Sequence, residues 1–384
     1  MTPADLRIAL FSGNYNYTRD GANQALNRLV DYLLRVGVKV RVYAPTVERP
    51  AFPATGDLVS IPSVRLPVKG RGEYRLPLGL WRAARADLAA FGPNVVHVSS
   101  PDPTAHAAVR WARRRGLPVL ASVHTRFETY PRYYHAAFLE PVVEAGLRRF
   151  YRRCDALVAP SPSMVETLLA QGMNRDVSIW TRGVDRNVFN PDRRDPAWRR
   201  AHGLADEEVA VVFLGRLVME KGLDVFAATV ARLRAMGAPH RVLVIGDGPA
   251  RGWFESAVPD AVFAGFQTGP DLGRALAGGD VFFNPSVTET FGNVTLEAMA
   301  CALPVVAAGA TGSASLVADG VTGRLVPPGD AAAFAEAIAP YCRDRSLRER
   351  HGEAGLERAR SYSWDTVNQA VVDTYLRLAE RRRS

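Results

Sequence analysis

Cysteine, lysine and long apolar runs are all scarce in this chain of 384 residues. The three cysteines, Cys154, Cys301 and Cys342, are scattered without paired spacing. That argues against a disulfide framework or a zinc site and fits a reducing compartment. The apolar run Ile8–Phe11 is too short for a signal-peptide core, so Met1–Asp20 does not read as one. Ala298–Ala318 carries no charge, but Pro304, Gly309 and Gly312 interrupt it, and no membrane-spanning helix is expected. No D-x-D triplet occurs, which leaves a metal-bridged diphosphate without an obvious ligand set. Low-complexity segments and solenoid repeats are also absent.

What is present is charge of uneven sign. The net charge is +9, and lysine contributes only Lys39, Lys69 and Lys221. The first 183 residues carry 25 Lys+Arg against 14 Asp+Glu, whereas the remainder carries 23 against 25. An Arg-rich composition explains the scarcity of lysine but not this asymmetry. The basic half is expected to face something anionic, a membrane surface or an acidic acceptor. The basic residues are dispersed, with no nucleic-acid reading module, so no nucleic-acid partner is expected.

Short β-branched runs alternate with amphipathic stretches, the pattern of parallel sheets covered by helices. Strands are predicted at Arg7–Phe11, Lys39–Tyr43, Asn94–Val98, Val119–Val123 and Ala156–Ala159. A helix is predicted over Gly21–Val36. The pattern then restarts with Ala210–Leu214, Arg241–Ile245, Ala261–Phe263, Val281–Phe283, Pro304–Ala308 and Arg324–Val326. The length suits two doubly wound α/β domains, 1–183 and 184–363. The final helix, 364–384, is expected to return to the first domain. Glu140–Cys154 reads as a basic amphipathic helix, either lying on anionic lipid or showing a solvated face.

Two motifs carry chemistry. In Leu214-Gly215-Arg216-Leu217-Val218-Met219-Glu220-Lys221-Gly222, two cations follow a strand. In Ser286-Val287-Thr288-Glu289-Thr290-Phe291-Gly292-Asn293-Val294-Thr295-Leu296-Glu297, two glutamates flank a turn that opens a helix. A helix N-terminus beside a strand end presents free N–H groups to an anion. Taken alone, each could be ordinary surface charge. Together they resemble the retaining glycosyltransferases of the GT-B fold, in the E-x7-E family, glycosyltransferase family 4. That fold has two Rossmann-like domains facing across a cleft, the first on the acceptor side and the second binding the donor.

The resemblance implies a nucleotide-sugar donor as substrate, with no cofactor and no metal. It places Arg216 and Lys221 on the diphosphate, Glu289 on the donor sugar and Glu297 on the ribose. Gly215, Gly246 of the Gly246-Asp247-Gly248-Pro249 turn, Phe291, Gly292, Asn293 and Val294 complete the implied donor site. In the first domain it adds Gly13, Asn14, Asp20 and Gly21 after the first strand, and His124 near the reacting centre. That first loop is longer and richer in Tyr and Asn than the family's paired-glycine turn, and Asp20 is a candidate N-cap. His97 reads as a buried strand histidine. Tyr130 and Arg132, within Arg126–Tyr134, are acceptor-side candidates.

The segment His124-Thr125-Arg126-Phe127 and the first loop look similar to the family's lipid-modifying branch, which includes mannosyl and sulfoquinovosyl transferases. The expectation is therefore hexose transfer, GDP-mannose before a UDP-sugar, to a lipid or glycolipid acceptor. The chain would be cytoplasmic and peripheral on the inner face of the cell membrane. Alternatives are a soluble or polysaccharide acceptor, a nucleotide-sugar epimerase of the same architecture, and a non-catalytic nucleotide-sugar-binding protein.

Overall fold

In the computed structural model, residues 1–18, 21–65, 75–125 and 137–381 are described. They form two compact units, Met1–Thr181 with Trp364–Ser384, and Arg182–Ser363.

The strands of the first unit are β1 (Arg7–Phe11), β2 (Lys39–Ala44), β3 (Asp57–Ser60), β4 (Ser63–Arg65), β5 (Arg75–Pro77), β6 (Val95–Val98), β7 (Val119–Ser122), β8 (Ala156–Ala159) and β9 (Val177–Ile179). Seven of them form a parallel sheet in the order β3-β2-β1-β6-β7-β8-β9, and β4 pairs with β5 in an antiparallel ribbon. The second unit has β10 (Ala210–Leu214), β11 (Arg241–Ile245), β12 (Val262–Gly265), β13 (Val281–Asn284), β14 (Val305–Ala308) and β15 (Gly323–Val326). Its sheet is parallel, in the order β12-β11-β10-β13-β14-β15. Each sheet runs outward from its first strand in both directions, the doubly wound order. The topological switch points lie between β1 and β6 and between β10 and β13.

Both faces of each sheet are covered, and that is why the strands read as unbroken apolar runs. In β1, Ile8 and Leu10 enter one core while Ala9 and Phe11 enter the other. In β10, Val211 and Phe213 face one core, Ala210 and Val212 the opposite one. The helix Trp364–Arg381 buries Val367, Val371, Val372 and Leu378 in the core formed with Leu26, Leu29 and Leu33 of Gly21–Arg35. Each such side chain contributes about 1.5–3 kcal/mol on full burial. At the rim, Arg35 pairs with Asp365 at 2.5 Å. Among the described residues no helix is long and apolar enough to cross a membrane.

Several boundaries differ from expectation for local reasons. The third predicted strand starts at Val95, and the Asn94 side chain just before it ties that end to the start of β1. It accepts from the Arg7 N–H at 2.8 Å and donates to the Asp5 carbonyl at 2.7 Å. The first helix stops at Arg35, where Gly37, at φ +85°, closes a C-cap with Val38 N–H donating to Leu33 O at 2.8 Å. The basic helix spans Glu140–Tyr151 rather than reaching Cys154.

Candidate active site

In the second unit, the switch point brings the two motifs together. Arg216 and Lys221 follow β10, and Glu289 follows the neighbouring strand β13. Lys221 Nζ donates to Glu289 Oε1 at 2.5 Å. The Thr288 hydroxyl donates to the Glu220 carbonyl at 3.4 Å, tying the same two loops. Arg216 is exposed, and Lys221 and Glu289 are partly buried.

The backbone explains the glycines. Gly246 and Gly248, after β11, run against the loop that carries Arg216. A Cβ on Gly246 would lie 2.0 Å from Gly215 O, and one on Gly248 would lie 2.5 Å from Leu217 O. The close approach lets Gly215 N–H reach Ile245 O at 3.0 Å and Leu217 N–H reach Asp247 O at 3.0 Å. The Gly-Asp-Gly-Pro turn therefore acts as a brace for the cation-bearing loop.

Gly292 takes φ +96° as the N-cap of the helix Asn293–Ala300, a conformation that only glycine adopts without strain. Phe291, just before it, is buried and lies against Tyr362 with ring centroids 6.0 Å apart. Asn293 and Val294 occupy the first turn, where N–H groups have no intrahelical acceptor. Asn284, at the end of β13, donates through Nδ2 to Thr295 Oγ1 at 3.2 Å and fixes the helix against the strand.

Glu297, one turn into that helix, is partly buried. Burial, with the like charge of Glu289 added, pushes its carboxyl up to about 8. Such a shift favours the protonated form, which can donate as well as accept.

The first unit is organised around β1 and β6. Gly13 N–H donates to Ser100 Oγ at 3.1 Å, and Ser100 Oγ donates to Asp102 Oδ2 at 2.5 Å. Asp102 caps the helix Pro103–Arg113, accepting from Ala105 N–H at 2.9 Å. A Cβ on Gly13 would stand 2.9 Å from both side chains. Ser100 and Asp102 were missed in the sequence, although Asp-Pro before a helical stretch is an N-cap signal.

The Tyr- and Asn-rich loop is held by side-chain hydrogen bonds to its own backbone and to its neighbours. Tyr17 OH donates to Gly13 O at 2.8 Å, Asn27 Nδ2 donates to Tyr15 O at 2.8 Å, and Tyr15 OH donates to Thr55 O at 2.7 Å. The Asn14 side chain donates to Thr18 Oγ1, and Gly21 is the first residue of its helix. His124 stands two residues past β7, its ring edge-to-face with Trp180 at 5.4 Å. Asp20, Tyr130 and Arg132 lie outside the described residues.

Comparison with known proteins bears on both units. A model described as Glycosyltransferase Family 4 matches residues 19–188, and one described as Glycosyl transferases group 1 matches residues 208–344. A GDP-mannose-dependent alpha-mannosyltransferase of Mycobacterium tuberculosis is 32% identical over 98% of this chain and 98% of its own. Sulfoquinovosyl transferase SQD2 of Arabidopsis thaliana is 34% identical over 77% of this chain and 59% of its own. Among solved structures, a sucrose-phosphate synthase from Thermosynechococcus elongatus superposes with TM-score 0.77. It is 20% identical, covering 97% of this chain and 99% of that one. WaaG, a glycosyltransferase involved in lipopolysaccharide biosynthesis, gives 0.70 at 18% identity, covering 96% and 99%. With two doubly wound units and these matches, the chain belongs to glycosyltransferase family 4 and is a glycosyltransferase of the GT-B fold.

Proposed function

We propose that the chain transfers mannose from GDP-mannose to a lipid acceptor at an anionic membrane surface, with retention of anomeric configuration and without a metal. The observation that carries this reading is the convergence of Arg216, Lys221 and Glu289 at one sheet switch point. The names of the similar mannosyltransferases support the donor, and the basic first half of the sequence supports the membrane.

The chemistry follows from the residue types. Arg216 and Lys221 hold the diphosphate and stabilise the charge that grows on it as the C1–O bond breaks. The N–H groups of Asn293 and Val294 add donors at the helix start. Glu289 orients sugar hydroxyls, and Glu297 takes the ribose diol. The acceptor hydroxyl attacks C1 on the face the diphosphate leaves, and its proton passes to the departing phosphate oxygen. The products are mannosylated acceptor and GDP. Donor binding exchanges the Lys221–Glu289 pair for contacts with phosphate and sugar. In the first unit, Gly13, Asn14 and Gly21 are assigned to the donor and His124 to the sugar. Tyr130 and Arg132 are assigned to the acceptor side.

The similarity to SQD2 favours a second reading, a UDP-sulfoquinovose donor with a diacylglycerol-type acceptor. One assay addresses both: purified protein, either donor, and vesicles with or without anionic lipid, each in the presence and absence of EDTA. The reading expects a lipid product from GDP-mannose, faster on anionic vesicles, with the anomeric configuration of the donor by NMR. An inverted product, or transfer that stops in EDTA, contradicts it.

A further inference from the structure

The first unit holds a buried polar cluster that the donor chemistry does not use. The helix Trp364–Arg381 turns an apolar face inward, yet that face carries Asn368 and Tyr375, both fully buried. Seven residues apart, they project two turns apart from one stripe. Polar groups in such a core cost stability unless their hydrogen bonds are made. Here they are made to chosen partners. Asn368 Oδ1 accepts from Trp180 Nε1–H at 3.2 Å, and its Nδ2 donates to Arg28 O at 3.2 Å. The Tyr375 hydroxyl lies 2.6 Å from His97 Nδ1. Burial pushes His97 down to about 3, so its ring stays neutral at physiological pH.

This cluster ends at His124. Trp180 stands one residue past β9, its backbone N–H donating to Ala159 O at 2.7 Å. Its indole lies between two imidazoles. His97 is edge-on at 6.3 Å, sealed in the core, and His124 is edge-on at 5.4 Å, partly exposed at the carboxyl edge of the sheet. A leucine at 368 would fill the apolar stripe; an asparagine there fixes the rotation of the indole.

We infer that Trp180, held by Asn368 of the C-terminal helix, is a positioning residue for His124. The crossed packing of indole and imidazole sets the plane of the His124 ring before any sugar arrives, so that the ring need not search among rotamers. The inference rests on the reading of His124 as a site residue.

Two readouts separate the inference from that reading. The chain has seven histidines, few enough to assign the His124 ring proton by comparison with His124→Gln. In both Trp180→Phe and Asn368→Leu this resonance is expected to move, because the ring beside it has changed or turned. Mannosyl transfer on vesicles is expected to fall roughly 10- to 100-fold in kcat in each variant, with KM for the donor little changed. Placed on top of His124→Ala, neither change should reduce kcat further, since both act through the missing ring. A full loss in His124→Ala with an unmoved resonance in both variants overturns the inference alone. Equal losses in the presence and absence of His124 also overturn it. Full activity in His124→Ala removes the site role, and the inference with it.

Discussion

Lys221 and Glu289 are 68 residues apart in the sequence and 2.5 Å apart in the fold. That pair keeps both side chains extended toward one place, and each has a separate duty in the proposed transfer. Lys221→Ala and Arg216→Ala should each lower kcat by roughly 10²–10³-fold, as loss of one anion-stabilising donor does. Steady-state kinetics with GDP-mannose check this, and near-parental turnover in both variants would remove the diphosphate assignment. Glu297 supplies a pH signature. Its raised value, about 8, means that the folded chain keeps a proton which the unfolded chain loses in the usual carboxylate range. Stability from this group is therefore present in acid, declines as pH rises toward about 8, and is level beyond it. Glu297→Gln should flatten the fall in Tm between the ordinary carboxylate range and pH about 8. If a ribose diol donates to the carboxylate, nucleotide binding at neutral pH should also release up to about one proton. Calorimetry in buffers of different ionisation enthalpy measures that release, and Glu297→Gln should abolish it.

At the scale of elements, the brace formed by Gly246 and Gly248 is the part most sensitive to small changes. Gly248→Ala places a methyl group 2.5 Å from Leu217 O and 2.8 Å from Leu217 N. The loop bearing Arg216 must then shift, at a cost of roughly 1–3 kcal/mol. A lowered Tm together with weaker GDP binding is the expected pair of results. The motif of this loop was legible in the sequence, but its contact with the turn after β11 was not, because backbone proximity leaves no residue pattern beyond the glycines. The central strands were legible as apolar runs buried on both faces. The edge strands β3 and β9 were not, because they are only three or four residues long and lie partly exposed. Trp180 and Asn368 illustrate a harder limit. One lies just past a short edge strand and the other on the apolar stripe of a distant helix, 188 positions away, with no local signal linking them.

At the scale of the whole molecule, the sequence alternation specified the fold class, two parallel doubly wound sheets, and the structure has them. It did not specify the donor. Base and sugar are chosen by loop atoms that no periodicity encodes, and the similar proteins include both a GDP-mannose enzyme and a sulfoquinovosyl transferase. The charge asymmetry belongs to this scale as well, since a net basic first half acts as a field rather than through any one pair. The central claim is a metal-independent guanine-nucleotide donor site built on Arg216, Lys221, Glu289 and Glu297. It is tested most directly by the melting temperature of the purified chain, with and without EDTA, in the presence of GDP, GDP-mannose, UDP, UDP-sulfoquinovose or ADP. A rise confined to the guanine nucleotides, reflecting a stabilisation of about 2.7 kcal/mol at a hundredfold excess over Kd, is the predicted result. A rise confined to uridine or adenine nucleotides, or one that vanishes in EDTA, would contradict it.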